Sequence, residues 1–224
     1  VQEPTHNRLC DDGGMTFEGF PVAALDFYDD LEVDNTRSFW EAHKHVYVES
    51  VLAPMKALCA ALEPEFGPAK IFRPYRDVRF AKDKTPYKTH QGAFVGVASH
   101  TGYYVELSPR GVRTGGGCYW FEPERLTAFR AAIVHDTYGA ELERLLATAA
   151  SAGYELGGER LKTSPRGYAR DHPRIEMLRH KSLTLGRSHG FEPVIHTPEL
   201  LDLVRDDWRA VSATVDWIAR HAAA

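Results

Sequence analysis

The sequence predicts an α+β fold, a single domain whose central, mainly antiparallel sheet is covered by N-terminal and C-terminal helices. Three observations carry this. Apolar residues recur at helical spacing over residues 21–66, short β-branched and aromatic runs fill residues 93–114, and helical spacing returns from Pro123 to the C-terminus. Residues 1–16 are polar, hold Gly13-Gly14 and are expected to form a flexible tail, leaving residues 17–224 as the domain.

The elements follow in order. Pro21 suits the first turn of a helix in which Val22, Leu25, Phe27, Tyr28 and Leu31 share a face. Asp34-Asn35-Thr36 interrupts it and supplies cap residues for a second helix, with Phe39, Trp40, His43, Val46, Tyr47 and Val51 on one broad side. Pro54 either kinks that helix or opens a third, which closes near Phe66-Gly67-Pro68. Residues 93–97, 103–107 and 112–114 read as adjacent antiparallel strands punctuated by Gly102 and Pro109-Arg110-Gly111. Pro123-Glu124 opens a further helix, and Leu142, Leu145, Leu146 and Ala149 mark another. Short strands near Tyr154 and Ser182 bracket a basic loop, residues 160–174. Thr197-Pro198-Glu199 then starts the C-terminal helix carried by Leu200, Val204, Trp208, Val211, Val215 and Ile218.

Composition excludes several function classes. The chain has 224 residues, 43% of them hydrophobic, and a net charge of −4 at pH 7. It lacks the basic balance of a general nucleic-acid binder. Cys10, Cys59 and Cys118 are few, odd in number and far apart, which fits a reducing compartment better than a disulfide scaffold. No apolar run suggests a membrane helix, and the first residues lack the basic and apolar regions of a secretory signal. The cytoplasm is the expected location.

Against that acidic background, residues 72–90 hold six Arg and Lys and two Asp, a local charge of +4, so the rest of the chain carries −8. A basic island in an acidic protein focuses its field on anions. If residues 72–80 are a strand, Arg73, Tyr75, Asp77 and Arg79 share one face, while Phe72, Pro74, Arg76, Val78 and Phe80 share the other. Guanidiniums flanking a phenol can fork onto an oxyanion. Lys82, Lys84, Tyr87 and Lys88 follow in a turn-like stretch that could close over it. The competing reading is a surface strand whose arginines pair with Asp77, Asp83 and the acidic helices.

Gly115, Gly116 and Gly117 follow a strand and precede Trp120, so backbone N–H groups there could cradle an anion. The pattern is neither a Walker A loop nor GxGxxG, and glycines in strands more often mark a bulge or tight helix–sheet packing. His90 closes the basic island and is the first candidate for proton transfer, with Asp77 second. His43 reads as a hydrogen-bonded core histidine, and Asp171-His172 as a weaker candidate pair. HExxH, EF-hand and Gly-x-Ser-x-Gly patterns are missing, so no metal site or cofactor is indicated.

Phe20-Pro21, Asn35 with Phe39-Trp40, the run from Phe72 to Thr89, Gly115-Gly116-Gly117, Arg130 and Asp171-His172-Pro173 resemble the signature of a bacterial and fungal family of unknown function. The resemblance spans residues 17–220, with Phe39-Trp40 reversing the Trp-Phe order of the pattern. It implies a stand-alone, single-domain cytoplasmic protein with a site in the central motif, and it names no reaction.

The expected function is therefore a basic pocket for a phosphate- or carboxylate-bearing small molecule, built from Arg73, Tyr75, Arg76, Arg79, Lys82, Lys84, Tyr87, Lys88, Gly115, Gly116, Gly117 and Trp120. Whether it is an enzyme stays open, as does oligomeric state. The alternatives are a module for an acidic partner or nucleic acid, the latter disfavoured by charge, and a purely structural Arg–Asp network.

Overall fold

The computed structural model describes residues 16–223, so the tail expected over residues 1–16 lies outside it except for Thr16. Helix α1 (Val22–Val33) starts directly after Pro21, and α2 (Arg37–Val46) is capped by the Thr36 hydroxyl, which accepts from the Phe39 N–H. The chain then widens into a π-helical turn, Tyr47–Leu52, before α3 (Ala53–Phe66). Pro54 has no N–H to donate, and the turn before it absorbs the mismatch: Ala53 donates five residues back, to the Val48 carbonyl. The helix runs on through the proline.

Strands β1 (Ala69–Ile71), β2 (Gln91–Ala98), β3 (Thr101–Ser108), β4 (Gly111–Cys118), β5 (Glu155–Gly157) and β6 (Leu183–Gly190) form one antiparallel sheet in the order β1-β2-β3-β4-β6-β5. Two sequence expectations change here. Residues 72–80 are not a strand of the sheet. With Pro74 offering no donor, the segment folds back on itself and only Tyr75 bridges, to Tyr87. Its alternation nevertheless survives, with residues 73, 75, 77 and 79 exposed and 72, 74, 76 and 78 partly covered; Phe80 is fully exposed. The glycine triplet, read as following a strand, lies inside β4 and is hydrogen-bonded on both sides.

Helices α4 (Pro123–Val134), α5 (Asp136–Ser151), α6 (Ile175–Leu178) and α7 (Leu200–His221) complete the chain. Period-two alternation explains the layering. Tyr103, Val105 and Leu107 of β3 point to the helical layer, where Tyr103 stacks on Trp208 of α7, while Tyr104 and Glu106 point away. Helix α7 crosses β2, β3 and β4, with α1 and α3 beside it. The core has a larger part around Trp40, Tyr47 and Trp208 and a smaller part under α4 and α5 around Phe129 and Trp217. Both draw on α7. No helix among the described residues is long and apolar enough to cross a membrane.

Candidate functional site

The basic segment is a tied excursion between β1 and β2. Its neck is closed by backbone bonds from Arg76 N–H to the Pro86 carbonyl (2.9 Å) and from Lys88 N–H to the Pro74 carbonyl (2.8 Å). The Asn35 amide clamps Tyr87 twice, donating to its carbonyl (3.1 Å) and accepting from its N–H (3.0 Å). Within the excursion the charges answer one another. Arg79 forks onto both Asp77 oxygens (2.9 and 2.7 Å), Arg76 pairs with Asp83 and Thr85, and Lys84 donates to the Val78 carbonyl. The Thr85 N–H, the Arg76 guanidinium and the Thr85 hydroxyl together hold the exposed Asp83 carboxyl down at about 2. Arg76, Arg79 and Lys84 are thus engaged locally. Arg73, Lys82 and Lys88 make no ion pair among the described residues.

A hollow of about 330 Å³ opens on the helix-free side of the sheet. Its floor is nearly bare backbone, from Gly102, Gly115, Gly117 and Gly186. Its walls are Phe72, Phe94, Tyr104 and Tyr119, and its polar groups include Glu106, Arg113 and Thr184. Register builds it: Phe94, Tyr104, Gly115 and Gly186 stand opposite one another across four strands, as do Glu106 and Arg113 in the next row. Gly102 and Gly115 have no alternative, since a Cβ would lie 1.9 Å from the Val95 carbonyl oxygen and 2.3 Å from that of Leu185. Gly116 points the other way, toward Val211 and Val215 of α7.

The excursion touches the hollow at one wall. Phe72 lies 6.4 Å from the Tyr104 ring, and the ammonium groups of Lys88 and Lys70 sit 5.4 and 5.9 Å from its centroid. Burial, then the neighbouring Arg73 charge, pushes the Lys88 ammonium below its ordinary value. The Tyr104 hydroxyl donates to Glu106 (2.7 Å); burial first, then this carboxylate, drives the phenol well above its usual range. Glu106 also borders a smaller hollow of about 190 Å³, where His90 faces it at 3.9 Å beside Thr89 and Arg110.

Of the residues nominated from sequence, the three glycines line the main hollow, Lys88 and Arg73 stand near its Phe72 wall, and His90 lies in the adjoining one. Tyr75, Arg76, Asp77, Arg79, Lys82, Lys84, Tyr87 and Trp120 do not line either. Tyr75 and Tyr87 serve the neck of the excursion, and Trp120 packs on His100. Phe94, Tyr104, Glu106, Arg113 and Lys70 were missed as site residues. Their signal was present: in paired strands, alternation puts all five on the face opposite Val105 and Leu107. Asp171 and His172 form no oriented pair. His172 Nδ1 instead accepts from the Arg174 N–H (3.0 Å).

Beneath β4, on the helical side, Asp207 of α7 is buried and fully engaged. The hydroxyls of Thr114 and Tyr154 donate to it at 2.5 and 2.6 Å, His189 Nε2 lies at 2.6 Å and the Arg187 guanidinium at 3.4 Å. Burial pushes the carboxyl up, but the bonds from His189, Thr114 and Tyr154 outweigh it and leave it below its ordinary value. This cluster ties β4, β6 and the residue preceding β5 to α7. No group of three or more His, Cys, Asp or Glu side chains among the described residues is placed to hold a metal ion.

The sequence profile of the conserved hypothetical protein family DUF2461 matches residues 23–217. The chain belongs to that family. Within this DUF2461 chain the matched span runs from α1 to the last turns of α7 and includes both hollows, the tied excursion and the Asp207 cluster. Comparisons with curated proteins and with solved structures returned no match.

Proposed function

We propose that the sheet-face hollow binds a small organic anion with a flat apolar part and a phosphate or carboxylate. One observation carries this reading. Aromatic walls and a bare floor meet three cations that form no ion pair among the described residues: Lys70 and Lys88 flank Phe72, and Arg113 lies over Gly186 with Glu106 opposite it on the next strand. The volume lies within the about 300–1,000 Å³ usual for small-molecule sites. Apolar walls supply affinity, while the cations orient the anionic group. The free thiols of Cys59 and Cys118, both buried, support a reducing compartment such as the cytoplasm.

The test uses phenyl phosphate followed by amide NMR. The expected result is a saturable shift of the Gly102, Gly115, Gly117 and Gly186 amides. Shifts confined to residues 76–84, or none at all, would refute the reading.

A further inference from the structure

We infer that Tyr119 is a proton-transfer residue of this hollow, with His100 and Glu122 as the positioning groups that make its hydroxyl reactive. The inference rests on the hollow being the ligand site, and adds what can happen there.

Three side chains at one end of the sheet, from the β2–β3 turn and the β4–α4 connection, form a carboxylate–imidazole–phenol row. Glu122 Oε1 faces His100 Nε2 at 3.5 Å, and His100 Nδ1 lies 2.8 Å from the Tyr119 hydroxyl. A proton on Nε2, facing the carboxylate, leaves Nδ1 as the acceptor, so the phenol donates to it. Tyr119 is the member that lines the hollow, 5.5 Å edge-to-face from Phe94. Its position is fixed by a bond from its own N–H to the His100 carbonyl (3.1 Å).

The backbone is committed to this arrangement. His100 is the one non-glycine residue among the described residues with positive φ, +52°, in the turn between β2 and β3. Such conformations persist where the surroundings over-determine them and gather at functional positions. The groups facing the imidazole are Tyr119, Trp120 and Glu122 from the β4–α4 connection. From α4, Arg125 donates to the carbonyl of neighbouring Ser99.

In one direction, a proton leaves the bound ligand for Tyr119 Oη as the phenol proton passes to His100 Nδ1. The resulting imidazolium faces the Glu122 carboxylate. The reverse returns both protons, so the row cycles without a metal or redox partner. The substrate class is an aryl or other flat organic anion with an acidic C–H, O–H or N–H near its ring.

The test needs no knowledge of the natural reaction. Benzenesulfonyl fluoride reports a hydroxyl with a base beside it: the phenol oxygen bonds to sulfur, fluoride leaves and His100 takes the proton. Intact protein is labelled at pH 7 and mapped by peptide mass spectrometry. Tyr119 should be modified at least tenfold faster than the comparably exposed Tyr75 and Tyr138. His100→Asn, which keeps a side chain tolerant of positive φ, should remove that advantage and give a rate rising tenfold per pH unit. That is how a phenol with no base beside it reacts, since only the phenolate then attacks sulfur. Wild type should show a flatter profile. Equal labelling of the three tyrosines, or an unchanged rate and profile in His100→Asn, overturns the inference. Failure of the binding reading instead shows as unmoved glycine amides with phenyl phosphate, and leaves the labelling ratio standing.

Discussion

The indole of Trp40 and the ring of Tyr87 stack face to face, their centroids 4.4 Å apart and their planes 8° from parallel. Two segments far apart in the chain meet in this contact. Trp40 comes from α2 and Tyr87 from the far side of the basic excursion, and Asn35 clamps the Tyr87 backbone beside them. Asn35, Trp40 and Tyr87 therefore build a neck beside Lys88 and Phe72.

Removing the clamp should loosen the excursion without unfolding the sheet. Asn35→Ala leaves the Tyr87 N–H and carbonyl without their side-chain partner. The cost of stranding such groups is about 1–3 kcal/mol. Amide exchange at Arg76 and Lys88, whose N–H groups close the neck, should accelerate, while exchange in β3 and β4 should not.

The floor of the hollow should be intolerant of side chains for reasons unrelated to ligand. Gly102→Ala and Gly115→Ala each drive a Cβ into a neighbouring strand carbonyl and should destabilise by about 1–3 kcal/mol, the usual cost of overpacking. Gly96→Ala is the control. Its Cβ would meet only the Phe94 ring at 3.6 Å, so denaturant midpoints should barely move.

Asp207 should set part of the acid limit of stability. Its folded-state pKa is depressed, so the stabilisation it confers is complete above the unfolded value of about 3.9 and is lost as pH falls through the lower folded value. Asp207→Ala removes the carboxylate from a buried network, a loss of roughly 3–5 kcal/mol. Asp207→Asn should flatten the fall of stability below about pH 4. Urea titrations across pH 2–7 measure both.

The layers were legible in the sequence because they rest on local periodicity. Leu25, Leu58, Val105, Leu107 and Trp208 are buried where spacing placed them. The site was legible in part. The basic run stood out as charge, and the competing reading of arginines paired with Asp77 and Asp83 holds for Arg79 and Arg76. Alternation puts Tyr104, Glu106 and Arg113 on the face away from the helices, but nothing local marks that face as a site. They become a site only through the register of β3 on β4, which long-range pairing decides. Lys70 and Lys88 acquire their role the same way, from opposite ends of the excursion meeting over Phe72.

The most direct measurement is calorimetric titration of phenyl phosphate at two salt concentrations into three proteins: wild type, Lys70→Ala/Lys88→Ala and Arg79→Ala. Exposed charges are screened over about 8 Å at physiological ionic strength, so wild-type affinity should fall as salt rises. The double variant should lose at least tenfold in affinity and most of the salt dependence. Arg79→Ala should change affinity less than twofold, because that guanidinium is held by Asp77 away from the hollow. Equal loss in Arg79→Ala, or undiminished binding in the double variant, would contradict the sheet-face site.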